Sequence, residues 1–193
     1  NYAGKSAFTK LLRAVAATGM ERIKFTTSFP RDFRSDIVDA IEEHENLCNW
    51  VHLPVQSGSN RVLKLMKRGH SIENYFKKID RLRSSSRDVS LTTDIIVGFP
   101  GETDKDFQDT VKMVEYCGFD MTYIFKYSPR PGTPAFDMPD DVSAADKTIR
   151  FLELECSQKL IQQNRLQRYL NKVLKVLVEG KSARSESLSG HST

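Results

Sequence analysis

The stretch Thr92-Thr-Asp-Ile-Ile-Val-Gly-Phe-Pro-Gly-Glu-Thr103 limits what this chain can fold into more than any other. Five apolar or β-branched residues surround one acid, Asp94, and the run then breaks into Gly98-Phe-Pro-Gly101. This spells a strand, a tight turn and a helix start, with Thr103 as the cap and Asp106 completing a short-armed capping box. A buried strand tolerates a lone carboxylate poorly unless the acid has a partner. A strand that ends in a Gly-rich turn before a helix is the usual site-forming corner of α/β proteins. Taken alone, the stretch also fits a tight βα turn whose Asp94 merely caps backbone amides.

The rest of the chain repeats the rhythm. Phe8, Leu11, Leu12 and Val15 have helical spacing over residues 8–18, stopping at Gly19. Residues 22–27 alternate like a strand, and Pro30 then forbids a continuing ladder. Ser35 caps a helix with Ile37, Val38 and Ile41 inward; residues 50–55 form the next strand. Ser59 opens a helix carrying Val62, Leu63 and Met66 that stops at Gly69. Ser71 opens another, with Tyr75, Phe76, Ile79 and Leu82 on one face, ending near Ser84. After the central strand, a helix buries Phe107, Val111 and Val114 and closes at Gly118, and residues 120–127 form a fourth strand. Alternating strands and helices imply parallel strands with right-handed crossovers. Four such units fit the second half of a TIM-like α/β barrel over residues 1–142. From Ser143 the pattern changes to a long helix striped by Ile149, Leu152, Cys156 and Leu160, a strut leading out of the barrel over residues 143–171. Residues 173–178 alternate as the first strand of a small β module that occupies 172–193.

In such barrels the ligand sits at the C-terminal ends of the strands. Those ends offer Thr26, Thr27 and Ser28, then Gln56 and Ser57, then Asp94 with Gly98, then Ser128 and Arg130. Every exit is polar. The groups available are amide, hydroxyl, guanidinium and carboxylate, which suit a ribose or amino-acid moiety. His52 lies mid-strand, where a structural histidine is favoured over a base. No phosphate-binding loop, nucleophile elbow or HExxH signature is present.

Charge and cysteine content narrow the classes further. The net charge is +4, but residues 157–185 hold seven bases against the single acid Glu179. A basic end suits a polyanion such as nucleic acid, or a solvated helix face. Cys48, Cys117 and Cys156 form no CxxC or CxxxCxxC spacing, so no recognisable zinc or iron–sulfur ligand set is present, and three cysteines make a poor disulfide framework. These points favour the cytoplasm and thiols in helices or at their ends. No stretch is long and apolar enough to be a membrane span. Both ends read as cut, so a longer parent protein is expected.

Four motifs in order carry a resemblance: His52-Leu-Pro-Val-Gln-Ser-Gly-Ser59, Met66-Lys-Arg-Gly-His70, Asp94 through Thr103, and Tyr127-Ser-Pro-Arg-Pro-Gly-Thr-Pro-Ala135. Together they resemble the radical S-adenosylmethionine (SAM) methylthiotransferases, and the wording from His52 to Ser59 is most similar to the MiaB-type tRNA enzymes. Val178 through Ser185 is similar to the opening of the TRAM module that ends these enzymes. The resemblance implies a partial radical SAM barrel and formation of a 2-methylthio group on N6-isopentenyladenosine next to the anticodon. It also implies S-adenosylmethionine and two [4Fe–4S] clusters as cofactors, and tRNA as partner of a monomeric enzyme. Within the family pattern, Gln56, Arg68 (twelve residues on) and Asp94 hold S-adenosylmethionine. Ser57, Val97, Gly98 and the Ser128 loop border the cofactor, and Arg130 is a candidate for substrate or cofactor phosphate and ribose contacts; from the basic segment, Lys172 and Lys175 are expected to meet the RNA substrate. For Arg68 the alternative is a cation at a helix C-terminus.

The chain departs from the family in lacking the CxxxCxxC loop and the three further cluster cysteines. The expectation is therefore half of an active site, without cluster ligands and inactive on its own. Threonylcarbamoyl-adenosine in tRNA and a ribosomal-protein aspartate are the alternative substrates. A non-catalytic RNA-binding module is the alternative class.

Overall fold

Strand β2 (Ser90–Val97) is the centre of a parallel three-stranded sheet in the computed structural model, which describes residues 7–27, 29–182 and 187–192. It is flanked by β1 (Trp50–His52) and β3 (Met121–Lys126), with His52 opposite Thr92 and Asp94 opposite Tyr123. Side chains alternate across a strand, so β2 has two unlike faces. Leu91, Thr93, Ile95 and Val97 are buried. Leu91, Ile95 and Val97 join a core with Ile41, Tyr75, Ile79, Leu82 and Val114 from the covering helices. The opposite face carries Trp50, His52, Thr92, Asp94, Met121, Tyr123 and Phe125, and the last three are about half exposed. One covered face and one open face is the section of an α/β barrel that the sequence predicts.

The helices are α1 (Ala7–Ala16), α2 (Ser35–Glu43), α3 (Asn60–Leu65), α4 (Ile72–Arg83), α5 (Asp104–Cys117) and α6 (Ala144–Leu166). Their starts follow local chemistry. Ser59 Oγ accepts from the Val62 amide, Ser71 Oγ from Asn74, and Ser143 Oγ from Asp146. Thr103 and Asp106 form the expected reciprocal capping box, and Gly118 ends α5 at φ +57°, where a Cβ would be strained. Ser35 is an exception: it is the first residue of α2, and the cap position is Arg34, without a side-chain hydrogen bond.

Several sequence expectations are corrected. Residues 22–27 form no strand; Ile23 alone bridges Leu47, and at Thr27 the side-chain hydroxyl, not the backbone, donates to the His52 carbonyl. The strand expected over 50–55 stops at His52, because Pro54 has no amide to donate and Gln56 takes φ +77°; pairing resumes as a single bridge from Gln56 to Ile95. In α1 only Leu12 of the expected stripe is buried, alongside Thr9 and Ala16. The bidentate pair from Arg13 to Glu43, at 2.6 and 2.9 Å, fixes that rotation against α2.

The largest correction is α6. Its expected stripe Ile149, Leu152, Cys156 and Leu160 is exposed, and Lys147, Arg150, Leu154 and Gln158 are buried instead. Helix α6 does not project away; Leu154, Phe151 and Ile161 pack on the common core. The buried polar groups are tolerated because each has a partner: Arg150 meets Glu102, Lys147 meets Asp140, and Gln158 donates to the Phe119 carbonyl.

Beyond α6, β4 (Val176–Lys181) and β5 (Leu188–Ser192) form an antiparallel hairpin, so the expected strand lies three residues later and gains a partner. Ser28, offered above as a strand-exit hydroxyl, and Arg184 of the basic segment lie outside the described residues. The three cysteines are free thiols; Cys117 and Cys156 are helical, whereas Cys48 sits in the extended segment before β1. Among the described residues no helix is long and apolar enough to cross a membrane.

Candidate cofactor site at the strand exits

On the open face of the sheet, His52 and Asp94 come from neighbouring strands. Nε2 of His52 lies 3.4 Å from Oδ2 of Asp94, and Nδ1 lies 2.9 Å from the Thr92 hydroxyl. An ionised carboxylate can only accept, so the Nε2 proton faces Asp94 and Thr92 donates to Nδ1 when the ring is neutral. Trp50 stacks against the imidazole at 5.9 Å between ring centres, and Tyr123 meets it edge-on at 6.0 Å. From sequence alone His52 reads as structural. Only strand register, which no local pattern encodes, puts it beside Asp94. The Asp94 side chain keeps about 29% of its surface exposed, so its second oxygen can take a ligand.

Arg68 follows α3 and is half-buried, with its guanidinium 5.6 Å from the Phe29 ring centre. Burial pushes its pKa below the usual arginine value, and the field of Asp94 opposes that shift. Among the described residues no carboxylate approaches within 4.0 Å of it. A half-buried cation without an anion favours an anionic ligand, since pairing offsets its lost hydration. Gln56 is buried at the adjoining exit; its backbone N–H donates to the Asp94 backbone carbonyl and its backbone carbonyl accepts from the Ile96 N–H.

The next turn is shaped from behind by α6. Gly98 has φ +71°, and a Cβ there would lie 2.3 Å from Cγ of Lys147. Its amide donates to Oε2 of Glu102 at 2.7 Å, and the same oxygen receives Nη1 of Arg150 at 2.8 Å. Arg150 also reaches Asp104 at 2.7 Å. Burial raises the Glu102 pKa, while the Gly98 amide and Arg150 pull the other way. The Gly101 amide donates to Asp141 at 2.6 Å. Glu102, Lys147 and Arg150 were not singled out from sequence, because a buried charge looks like a surface charge until its partner is known.

Other named residues are placed differently. Ser57 is fully buried; its hydroxyl lies 3.4 Å from that of Thr110 and accepts from the Ser59 amide at 3.2 Å. It therefore pins the loop that carries Gln56 against α5. Ser59 donates to Asp106 at 2.6 Å, and Asp106 also collects Arg61 and Thr103. Burial alone would raise the Asp106 pKa, but these hydrogen bonds outweigh it and hold the carboxyl well below its usual range. The Val97 side chain points into the core, leaving only its backbone at the exit, where its carbonyl accepts from Tyr127 at 2.9 Å. Ser128 and Arg130 are exposed in the loop after β3.

Lys172 and Lys175 are exposed but lie at the other end of the sheet. Arg168 and Tyr169, just before them, contact Ser90 at the start of β2. The basic segment is also less cationic than its sequence, because Arg165 and Arg168 pair with Asp120 at 3.4 and 2.7 Å. Among the described residues no three His, Cys, Asp or Glu side chains converge to hold a metal ion.

Residues 4–114 match the sequence signature of the radical SAM superfamily. The chain is 46% identical over 180 residues to the tRNA-2-methylthio-N(6)-dimethylallyladenosine synthase of Aeromonas salmonicida, covering 91% of this chain and 37% of that protein. The synthases of the same name from Shewanella oneidensis and Thermus thermophilus are 46% and 42% identical, covering 94% and 97% of this chain and 39% and 40% of theirs. The chain thus spans about two fifths of the curated relatives it matches. Among solved structures it is similar in fold to coproporphyrinogen III oxidase from Escherichia coli, a radical SAM enzyme (TM-score 0.54, 21% identity, 84% of this chain and 36% of that one). Methylornithine synthase is similar too (TM-score 0.57, 14% identity, 81% of this chain and 49% of that one).

Proposed function

Because this chain belongs to the radical SAM superfamily, we propose that it forms the cofactor-holding wall of a tRNA methylthiotransferase. The whole protein would add a methylthio group to C2 of N6-isopentenyladenosine beside the anticodon. The observation that carries this proposal is the 42–46% identity, over 91–97% of the chain, to synthases of that product.

The donor set fits S-adenosylmethionine, which supplies the radical chemistry when bound. Arg68 lacks a carboxylate partner among the described residues and suits the methionyl carboxylate. Asp94, steadied by His52, whose ring Thr92 bonds in turn, takes the ammonium or ribose hydroxyls together with Gln56. The backbone of Val97 and Gly98, with the Ser128 loop, borders the adenine, and Ser57 holds the Gln56 loop in place. The residues described here do not offer a ligand set for the superfamily's [4Fe–4S] cluster. The ligands of that cluster and of a second one are assigned to the rest of the longer protein, and the piece alone is taken to be inactive. Arg130, Lys172 and Lys175 are exposed cations suited to tRNA phosphates. Residues 1–142 form the barrel part, 143–171 the connecting helix, and 172–193 the start of the RNA-binding module. A monomer working on tRNA in the cytoplasm completes the proposal.

The test is nucleoside analysis of tRNA treated with the full-length protein after iron–sulfur reconstitution. Wild type should yield 2-methylthio-N6-isopentenyladenosine and Asp94→Ala should not. Product on threonylcarbamoyl-adenosine instead would replace the substrate, and RNA binding without any product would favour a plain RNA-binding module.

A further inference from the structure

A second charged surface lies beside the strand exits, on the outer side of Arg68. Arg31, Arg34, Lys77, Lys78 and Arg81 line a cleft of about 460 Å³ between the Pro30–Asp32 turn and α4. No acidic side chain is among its lining residues. The charges are not equally free. Arg81 is neutralised by Asp39 and Glu42, both at 2.7 Å, and exposed Arg31 has its neighbour Asp32 at 3.1 Å. Among the described residues the one carboxylate within 4.0 Å of Arg34 is that of Asp36, at 4.0 Å. Lys77 and Lys78 have no carboxylate within 4.0 Å among the described residues; Lys78 Nζ donates instead to the Phe33 carbonyl. The N-terminal end of α2, at Ser35, also opens onto the cleft and adds its positive dipole end, while α4 presents the side that carries Asn74, Lys77, Lys78 and Arg81.

Position gives this charge a meaning. The Phe29 ring has the Arg68 guanidinium 5.6 Å from its centre and the Arg31 guanidinium 6.0 Å away. Arg31 also lies over Gly69, next to Arg68. The cleft and the candidate cofactor wall therefore share an edge at Phe29. By contrast, Lys172 follows residues that contact the far end of the sheet.

We propose that this cleft binds the phosphodiester backbone of the RNA substrate, holding the strand that flanks the target base against the mouth of the site. The proposal rests on the tRNA assignment above. Concave cations spaced along a rim, with the α2 N-terminus behind them, suit successive phosphates and carry no base specificity.

The test is binding of a labelled anticodon stem-loop RNA to the full-length protein across a range of salt concentrations. Arg34→Glu combined with Lys77→Glu should weaken binding about tenfold or more at low salt and reduce the slope of log K against log salt by about 1 to 2. Arg34→Gln with Lys77→Gln should give a smaller change in the same direction, and it decides the matter if the reversed charges impair folding. Unchanged affinity and slope in both pairs, with wild type still binding RNA, overturns the cleft and leaves the tRNA assignment standing. A wild type that binds no RNA at any salt overturns both. Polyglutamate that displaces the RNA at equal charge concentration assigns the cleft to an acidic protein partner instead.

Discussion

The Asp94 carboxylate and the His52 imidazole meet at 3.4 Å across two parallel strands, on the face of the sheet where Met121, Tyr123 and Phe125 stand about half exposed. The pair sets the first prediction. Asp94→Asn keeps the shape and removes the charge, and charge-assisted hydrogen bonds contribute about 1.5–3 kcal/mol each. S-adenosylmethionine binding to the full-length protein, measured by calorimetry, should weaken roughly ten- to a hundredfold. His52→Phe, which keeps a ring for Trp50 and Tyr123, should weaken it less. Equal affinities for wild type and Asp94→Asn would remove Asp94 from the site.

Gly98 is required by its backbone and by its neighbour. Its φ is +71°, and an added Cβ would meet Lys147 Cγ at 2.3 Å. Gly98→Ala should destabilise the protein by about 2 kcal/mol, combining a left-handed backbone cost of about 1–2 kcal/mol with the clash. Lys147→Ala in the same chain should recover the steric part and leave the backbone part. Urea unfolding of both singles and the double separates them; purely additive losses would show that the clash is absent.

The buried pair of Arg150 and Glu102, 2.8 Å apart, ties α6 to the Gly98 turn. Arg150→Met strands a buried carboxylate and should cost about 3–5 kcal/mol. Adding Glu102→Gln should restore part of that stability, because the orphaned group is then neutral. A double variant no more stable than Arg150→Met would mean the lost contact, not the stranded charge, sets the cost.

Asp106 makes stability fall in acid. Burial opposes ionisation, but hydrogen bonds from Arg61, Ser59 and Thr103 outweigh it and hold the folded pKa below the ordinary aspartate value of 3.8. Its contribution is therefore complete above that value and is lost as pH falls through the lower folded pKa. Asp106→Asn should be less stable than wild type at neutral pH, and the gap should close as the pH is taken below 3.8. A gap that stays constant in acid would mean that the charge of Asp106 contributes nothing.

Much of this was legible before the fold was known. Ser59, Ser71, Ser143 and the Thr103–Asp106 box mark helix starts because capping is local, satisfied within three residues. Gly118 marks a helix end for the same reason. What stayed hidden depends on distant partners. The buried face of α6 carries Lys147, Arg150 and Gln158, and hydrophobic periodicity chose the opposite face because it cannot see the groups that satisfy them. The charge of the basic segment was overstated because Asp120 sits more than forty residues from Arg165 and Arg168. His52 looked structural because its carboxylate partner lies on another strand.

Helix α6 touches both ends of the sheet. Near its start Lys147 and Arg150 brace the turn at Gly98, and near its end Gln162 and Arg165 grip Asp120, just ahead of β3. Twenty-three residues at about 1.5 Å each make a rod of roughly 35 Å. It works as a ruler, setting how far the segment bearing Lys172 and Lys175 stands from the strand exits. Shortening it by one turn would pull one anchor or the other out of register, so its length is as much under constraint as its contacts.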